Sequence, residues 1–153
     1  MNLSPRKVPT VSIIDTYFKS DSTTQVEAVS FGVHGLSVVV ASEHWNARVS
    51  FDWVVGFRVL DEGDLCEFWS KCTLADGWLF EVFSGGWKEL EQCRPHFVSG
   101  HDEKVREFLV AGLNECVSVL SYEVPAISAA QVSNLLVETA ECGKLQSAEY
   151  LKR

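Results

Sequence analysis

Leu36-Ser37-Val38-Val39-Val40-Ala41 decides the class of fold. A run dominated by β-branched side chains suits a pleated strand, and it is bounded by turn formers: Gly32 to Gly35 before it and the polar Glu43 to Asn46 after it. The pattern extends in both directions. Upstream, Gln25 to Phe31 alternates, with Val26, Ala28 and Ser30 on one side and Glu27, Val29 and Phe31 on the other, and Val11 to Phe18 is apolar enough for a further strand. Downstream, Arg48 to Asp52 places Val49 and Phe51 on one face, and Trp53 to Leu60 continues as a strand. Together these segments predict an antiparallel meander of about four or five strands.

The second half is more mixed. Asp61-Glu62-Gly63-Asp64 breaks the strand pattern as a turn, and Leu65, Phe68, Trp69 and Cys72 follow at helical spacings. Asp76-Gly77 is a turn signal before the strand Trp78 to Phe83, Ser84-Gly85-Gly86-Trp87 is another turn, and Trp87 to Cys93 is charged and ambiguous. Val105 to Gly112 fits either a helical stripe or the first arm of a hairpin. The hairpin is preferred because Val117-Ser118-Val119 is strand-like and needs a neighbour. Near the end, Ser128 and Gln131 have capping-box spacing, Ile127 and Val132 form a hydrophobic staple, and Val132, Leu135, Leu136 and Thr139 share a helical face with Gly143 as the stop. The expected fold is therefore α+β: an antiparallel sheet of about six or seven strands with a C-terminal α-helix packed on one face. The chain reads as one domain over 1–153, with 1–9 as a tail and 145–153 as a short or frayed helix.

Charge is unevenly spread. The net charge is −8, residues 1–60 sum to zero, and residues 61–103 carry ten acidic and three basic side chains. A binder of nucleic-acid phosphates is expected to carry a basic stripe, so nucleic acid is not the expected partner; the acidic segment would steer a basic one. The apolar runs are too short for a membrane span, and the polar start, Met1 to Pro9, lacks the apolar core of a signal peptide. Five cysteines without a CxxC pair fit reduced thiols, so a cytoplasmic location is expected.

Motifs for chemistry are sparse. Cys93-x-x-His96 supplies half of a zinc site and lacks the other half, so no metal is expected and no cofactor is implied. A Cys–His nucleophile pair from Cys93 or Cys116 needs a distant histidine, and buried thiols are the simpler reading; no catalytic residue is assigned. Asp61, Glu62, Asp64 and Glu67 put four carboxylates within seven residues, without EF-hand spacing. They read either as a solvated turn opening a helix or as a docking surface with the adjacent aromatics. Trp87, Glu89 and Glu91 form a second candidate patch after the Gly85-Gly86 turn, and Arg58 is expected to pair with Asp61 or Glu62.

Phe51 to Trp69, with Gly56-Phe57-Arg58-Val59-Leu60-Asp61-Glu62-Gly63-Asp64, together with Ser84-Gly85-Gly86-Trp87 and Asn114 to Ser121, resembles segments of immunity proteins from bacterial polymorphic toxin systems, including contact-dependent growth inhibition. That resemblance implies a monomer or homodimer that is no enzyme and that binds and neutralises a toxin domain, such as a basic nuclease, through an acidic surface. Asp61, Glu62, Asp64, Glu67, Trp87, Glu89 and Glu91 are the partner-facing residues this reading selects. The alternatives are an adaptor or chaperone for a secreted or phage protein, which predicts an exposed apolar groove and dimerisation, with the N-terminal strands as a dimer edge, and a small Cys- or carboxylate-dependent hydrolase.

Overall fold

A computed structural model describes residues 7–131. In chain order it contains β1 (Thr10–Ile13), β2 (Gln25–Gly32), β3 (Gly35–Ala41), β4 (Asn46–Phe51), β5 (Val54–Asp61), β6 (Leu79–Ser84), a short α1 (Trp87–Gln92), β7 (Arg106–Val110), β8 (Glu115–Ser121) and β9 (Ala126–Ala129). These strands form two antiparallel sheets, one ordered β1-β6-β7-β8-β5 and one ordered β2-β3-β4-β9. The expected α+β fold is therefore corrected to a mainly β sandwich of nine strands among the described residues.

The C-terminal helix expectation fails at its first residues. Ser128 is not a helix cap: it sits in β9 opposite Arg48, and Ile127 packs onto the core beside Val49. The S-x-x-Q spacing is a local signal, and pairing with β4 is a non-local contact that overrides it. The helical face over Val132, Leu135, Leu136 and Thr139, with Gly143, lies outside the described residues, as does 145–153.

The meander expectation holds only in part. β2, β3 and β4 are consecutive hairpin partners, but β5 leaves them and pairs with β8 in the other sheet. The chain crosses between sheets over Asp52 and Trp53, and the Trp53 carbonyl accepts from the Ser121 hydroxyl (2.9 Å) and the Tyr122 amide (3.0 Å). Two residues are enough for the crossing because the stacked sheets lie only about 10 Å apart. The β2–β3 hairpin turns at Val33-His34, and Gly35 takes φ +91 where a Cβ would lie 2.1 Å from the Phe51 carbonyl oxygen, so only glycine fits.

Alternation places the core. Leu36, Val38 and Val40 of β3 and Ala47, Val49 and Phe51 of β4 face Phe108, Val110, Val117 and Val119 of β7 and β8. Phe51 and Phe108 meet across the sandwich with ring centroids 5.6 Å apart. In β2 the strict alternation read from sequence breaks at a register shift between Val26 and Ala28, so Val26 and Val29 both reach the core. The outer face of the five-stranded sheet is also covered. Leu65, Phe68 and Cys72, from the segment after β5, pack on Phe80, Leu109, Ala111 and Cys116 as a second apolar layer. The helical spacing read there is realised as a chain of turns, with the Cys72 amide bonded to the Phe68 carbonyl at 2.9 Å. Of the stretch read as a tail, Pro9 is buried and Lys7 reaches Glu89 at 2.9 Å. Among the described residues, no helix is long and apolar enough to cross a membrane.

Candidate functional site

The acidic turn is built by its backbone. Asp61 ends β5, and its carboxylate accepts from the Gly63 amide at 2.8 Å, capping a 3-10 turn over Glu62–Asp64. The Glu62 amide donates to the Asn114 carbonyl (2.6 Å), and the Glu62 carbonyl accepts from the Trp69 indole N–H (2.8 Å). This pinning leaves Asp61, Glu62 and Asp64 exposed at one corner of the sandwich.

The β5–β8 register adds a fourth carboxylate: Glu115, also exposed, stands directly opposite Asp61. Like charges facing each other across a sheet are destabilising. None of Asp61, Glu62, Asp64 and Glu115 makes an ion pair among the described residues. Their field reaches inward: burial pushes the Cys116 thiol up to about 11, opposed by the Gly112 amide and reinforced by Glu62, Asp61 and Glu115. Beside the corner lies an open groove of about 290 Å³ lined by Glu62, Trp69, Thr73, Leu74 and Leu113. An apolar floor under an acidic rim suits a partner segment that presents a cation next to an aliphatic side chain.

Glu67 is placed apart from the other acids of its turn. It is half-buried on the outer face of the five-stranded sheet, where its charge acts on Arg58. Arg58 pairs with neither Asp61 nor Glu62: residues three apart on a strand face opposite sides, and Glu62 has already left the strand for the turn. Instead its Nε donates to the Ser118 hydroxyl at 3.3 Å, its guanidinium lies 5.3 Å from the Trp87 ring centroid, and Glu107, Glu67 and Glu91 surround it. Burial lowers the Arg58 pKa, and the three carboxylates oppose that shift.

The second sequence patch is turned inward on itself. Trp87 is half-buried, with its indole N–H donating to Glu91 at 3.1 Å; Glu91 also pairs with Arg94 at 2.8 Å, and Glu89 pairs with Lys7. Trp87, Glu89 and Glu91 are thus engaged within the fold, whereas Asp61, Glu62 and Asp64 make no ion pair among the described residues.

Glu107 escaped the sequence reading. It is 3% exposed, and its two carboxylate oxygens each accept a 2.8 Å bond, from the Trp87 and Lys88 amides at the start of α1. Gly86 permits this approach, since a Cβ there would lie 2.4 Å from Glu107 Oε1. The Lys88 ammonium then donates to the Asp102 and Val105 carbonyls at 3.0 and 2.6 Å. With both oxygens occupied, Glu107 serves as an anchor for α1. The only available signal for it was a lone acid in the apolar run Val105 to Val110.

The thiols divide by burial. Cys72 is pushed up to about 12 by burial and Cys116 to about 11, so neither supplies a thiolate near neutral pH. Cys66 and Cys93 are exposed, and Cys142 lies outside the described residues. Cys93 and His96 are both exposed, and no group of three or more His, Cys, Asp or Glu side chains is placed to hold a metal among the described residues. Compared with known protein families, with curated proteins and with solved structures, the chain gives no match.

Proposed function

We propose that this chain is a protein-binding module that holds a basic partner against the corner formed by Asp61, Glu62, Asp64 and Glu115, in the manner of an immunity protein holding a toxin domain. The observation that carries the reading is the facing of Asp61 and Glu115 in an acidic corner that has no ion pair among the described residues, beside a groove partly lined by apolar side chains. The Asp61 carboxylate caps its own turn, but Glu115 set opposite it adds repulsion, and a cationic partner converts that cost into attraction. Trp69, Leu74 and Leu113 supply apolar area next to the charges. Glu67, Trp87, Glu89 and Glu91, named from sequence as partner-facing, are engaged in contacts within the fold and are left out of this surface.

The test is calorimetric titration of the full chain with the protein encoded beside its gene, with a generic basic protein as the control for non-specific charge attraction. Reversing Asp61, Glu62 and Asp64 together to lysine should weaken binding at least tenfold, about 1.4 kcal/mol, and flatten its salt dependence. Absence of binding to that neighbour sinks the toxin reading, and unchanged affinity in the triple variant moves the interface elsewhere.

A further inference from the structure

Each sheet has two terminal strands, and they differ in how well they are protected. β1 and β9 are four residues long. β2 and β5 run for eight residues each, and they lie on the same side of the sandwich, where the rings of Phe31 and Phe57 meet at 5.3 Å. β2 is interrupted by its register shift at Glu27, whereas β5 is irregular only at its start and runs regularly from Gly56 to Asp61. Its outward edge pairs with nothing among the described residues. Long, regular and apolar edges are the ones that pair with another chain unless charge or distortion blocks them. Among the described residues the blocking devices sit only at the ends of β5, a register shift at its start and Asp61 at its finish: between them Arg58 is committed to the opposite face, and Phe31 and Val59 are 59% and 41% exposed at the lip between the sheets.

We propose that two copies of this chain associate along this side, with β5 antiparallel to its counterpart and Phe31, Phe57 and Val59 packed between them. The occupant follows from charge. Residues 1–60, which supply β2 and nearly all of β5, sum to zero, while the net charge of −8 is concentrated in 61–103. Two copies can therefore meet here without bringing their acidic excess together. The antiparallel sense follows from the same fact and from twofold symmetry. A parallel pairing would set both Asp61 corners side by side. An antiparallel pairing centred near Phe57 and Arg58 separates them by roughly 20 Å at 3.3 Å per residue, beyond the 8 Å Debye length of physiological salt. The two acidic corners then lie at opposite ends of the paired strands, and the groove beside each, on the Glu115 side of β5, is left outside the joint.

Sedimentation velocity and light scattering on the full chain, at concentrations up to roughly 100 μM, read the mass directly. Twice the chain mass is expected. Val59→Lys, an inward charge of the kind that natural edges use, should restore the single-chain mass, and Ala126→Lys on the opposite edge should leave the dimer intact. In the wild-type chain, amide exchange over 56–61 should be slow when concentrated and speed up on dilution, a readout independent of whether any variant folds. A single-chain mass throughout the range overturns the proposal, as does a dimer lost with Ala126→Lys and kept with Val59→Lys, or exchange over 56–61 that does not respond to dilution.

Discussion

Asp61 and Glu115 face each other across the end of the β5–β8 ladder, two exposed carboxylates in direct register with no basic side chain paired to either among the described residues. A stable fold does not require this arrangement, so stability and binding should respond in opposite directions when it is relieved.

Glu115→Lys is expected to stabilise the chain by about 0.2–1 kcal/mol, because a like-charge cross-strand pair becomes an opposite-charge one. It is also expected to weaken capture of a basic partner. Urea denaturation read beside titration decides the matter: a variant that loses stability, or that binds as well as wild type, contradicts the assignment of this corner.

Glu107 is expected to be the most sensitive charged position. Glu107→Ala leaves the Trp87 and Lys88 amides without their acceptor, and an amide left without its partner costs about 1–3 kcal/mol. Glu107→Gln keeps the shape and one acceptor oxygen and should cost less. The stability of both is read from chemical denaturation midpoints, and a loss for alanine no greater than for glutamine would count against the anchoring role.

Two carboxylates should give opposite acid responses. Burial raises Glu107 above its usual 4.5, against the two amides and Arg58. The fold thus favours its protonated form, and that contribution is complete below about 4.5 and is lost as pH rises through the raised folded value. Asp21 is held down to about 2 by bonds from Ser42 and Thr23, against a usual 3.8. Its contribution is complete above 3.8 and is lost as pH falls toward 2. Asp21→Asn should therefore lose less stability than wild type between pH 4 and pH 2. Parallel acid profiles for the two proteins would refute this.

Alkylation at mildly basic pH should mark Cys66 and Cys93 in the native chain and reach Cys72 and Cys116 only after unfolding, since burial raises the latter two to about 12 and about 11. Peptide mass spectrometry of labelled chains gives the answer. Prompt native labelling of Cys72 or Cys116 would mean that the second apolar layer opens.

Much of the local structure was legible because it rests on neighbours in the chain. The alternation of Leu36, Val38 and Val40 and the turn residues Gly32 and Gly35 placed β3 and its hairpin, and the strand character of Val117 to Val119 selected the β7–β8 hairpin correctly. What could not be read was which strands pair at a distance. Trp53 to Leu60 looks the same whether it continues a meander or crosses to a second sheet, and Ile127-Ser128 fits a helix start as readily as a strand until β4 is brought beside it. The candidate site divides along the same line. Asp61, Glu62 and Asp64 could be found from the run of acids, but Glu115 joins them only through register, and Glu107 only through the approach of α1.

β4 and β9 are far apart in the chain, yet among the described residues β9 alone covers the outer edge of β4. On a ribosome, β2, β3 and β4 can zip together soon after they emerge, leaving the β4 edge bare until residues 126–129 have been translated. Vectorial synthesis thus makes the short β9 a late latch: the nascent chain carries an open template for mispairing for about half of its synthesis, and closing that latch ends the exposure.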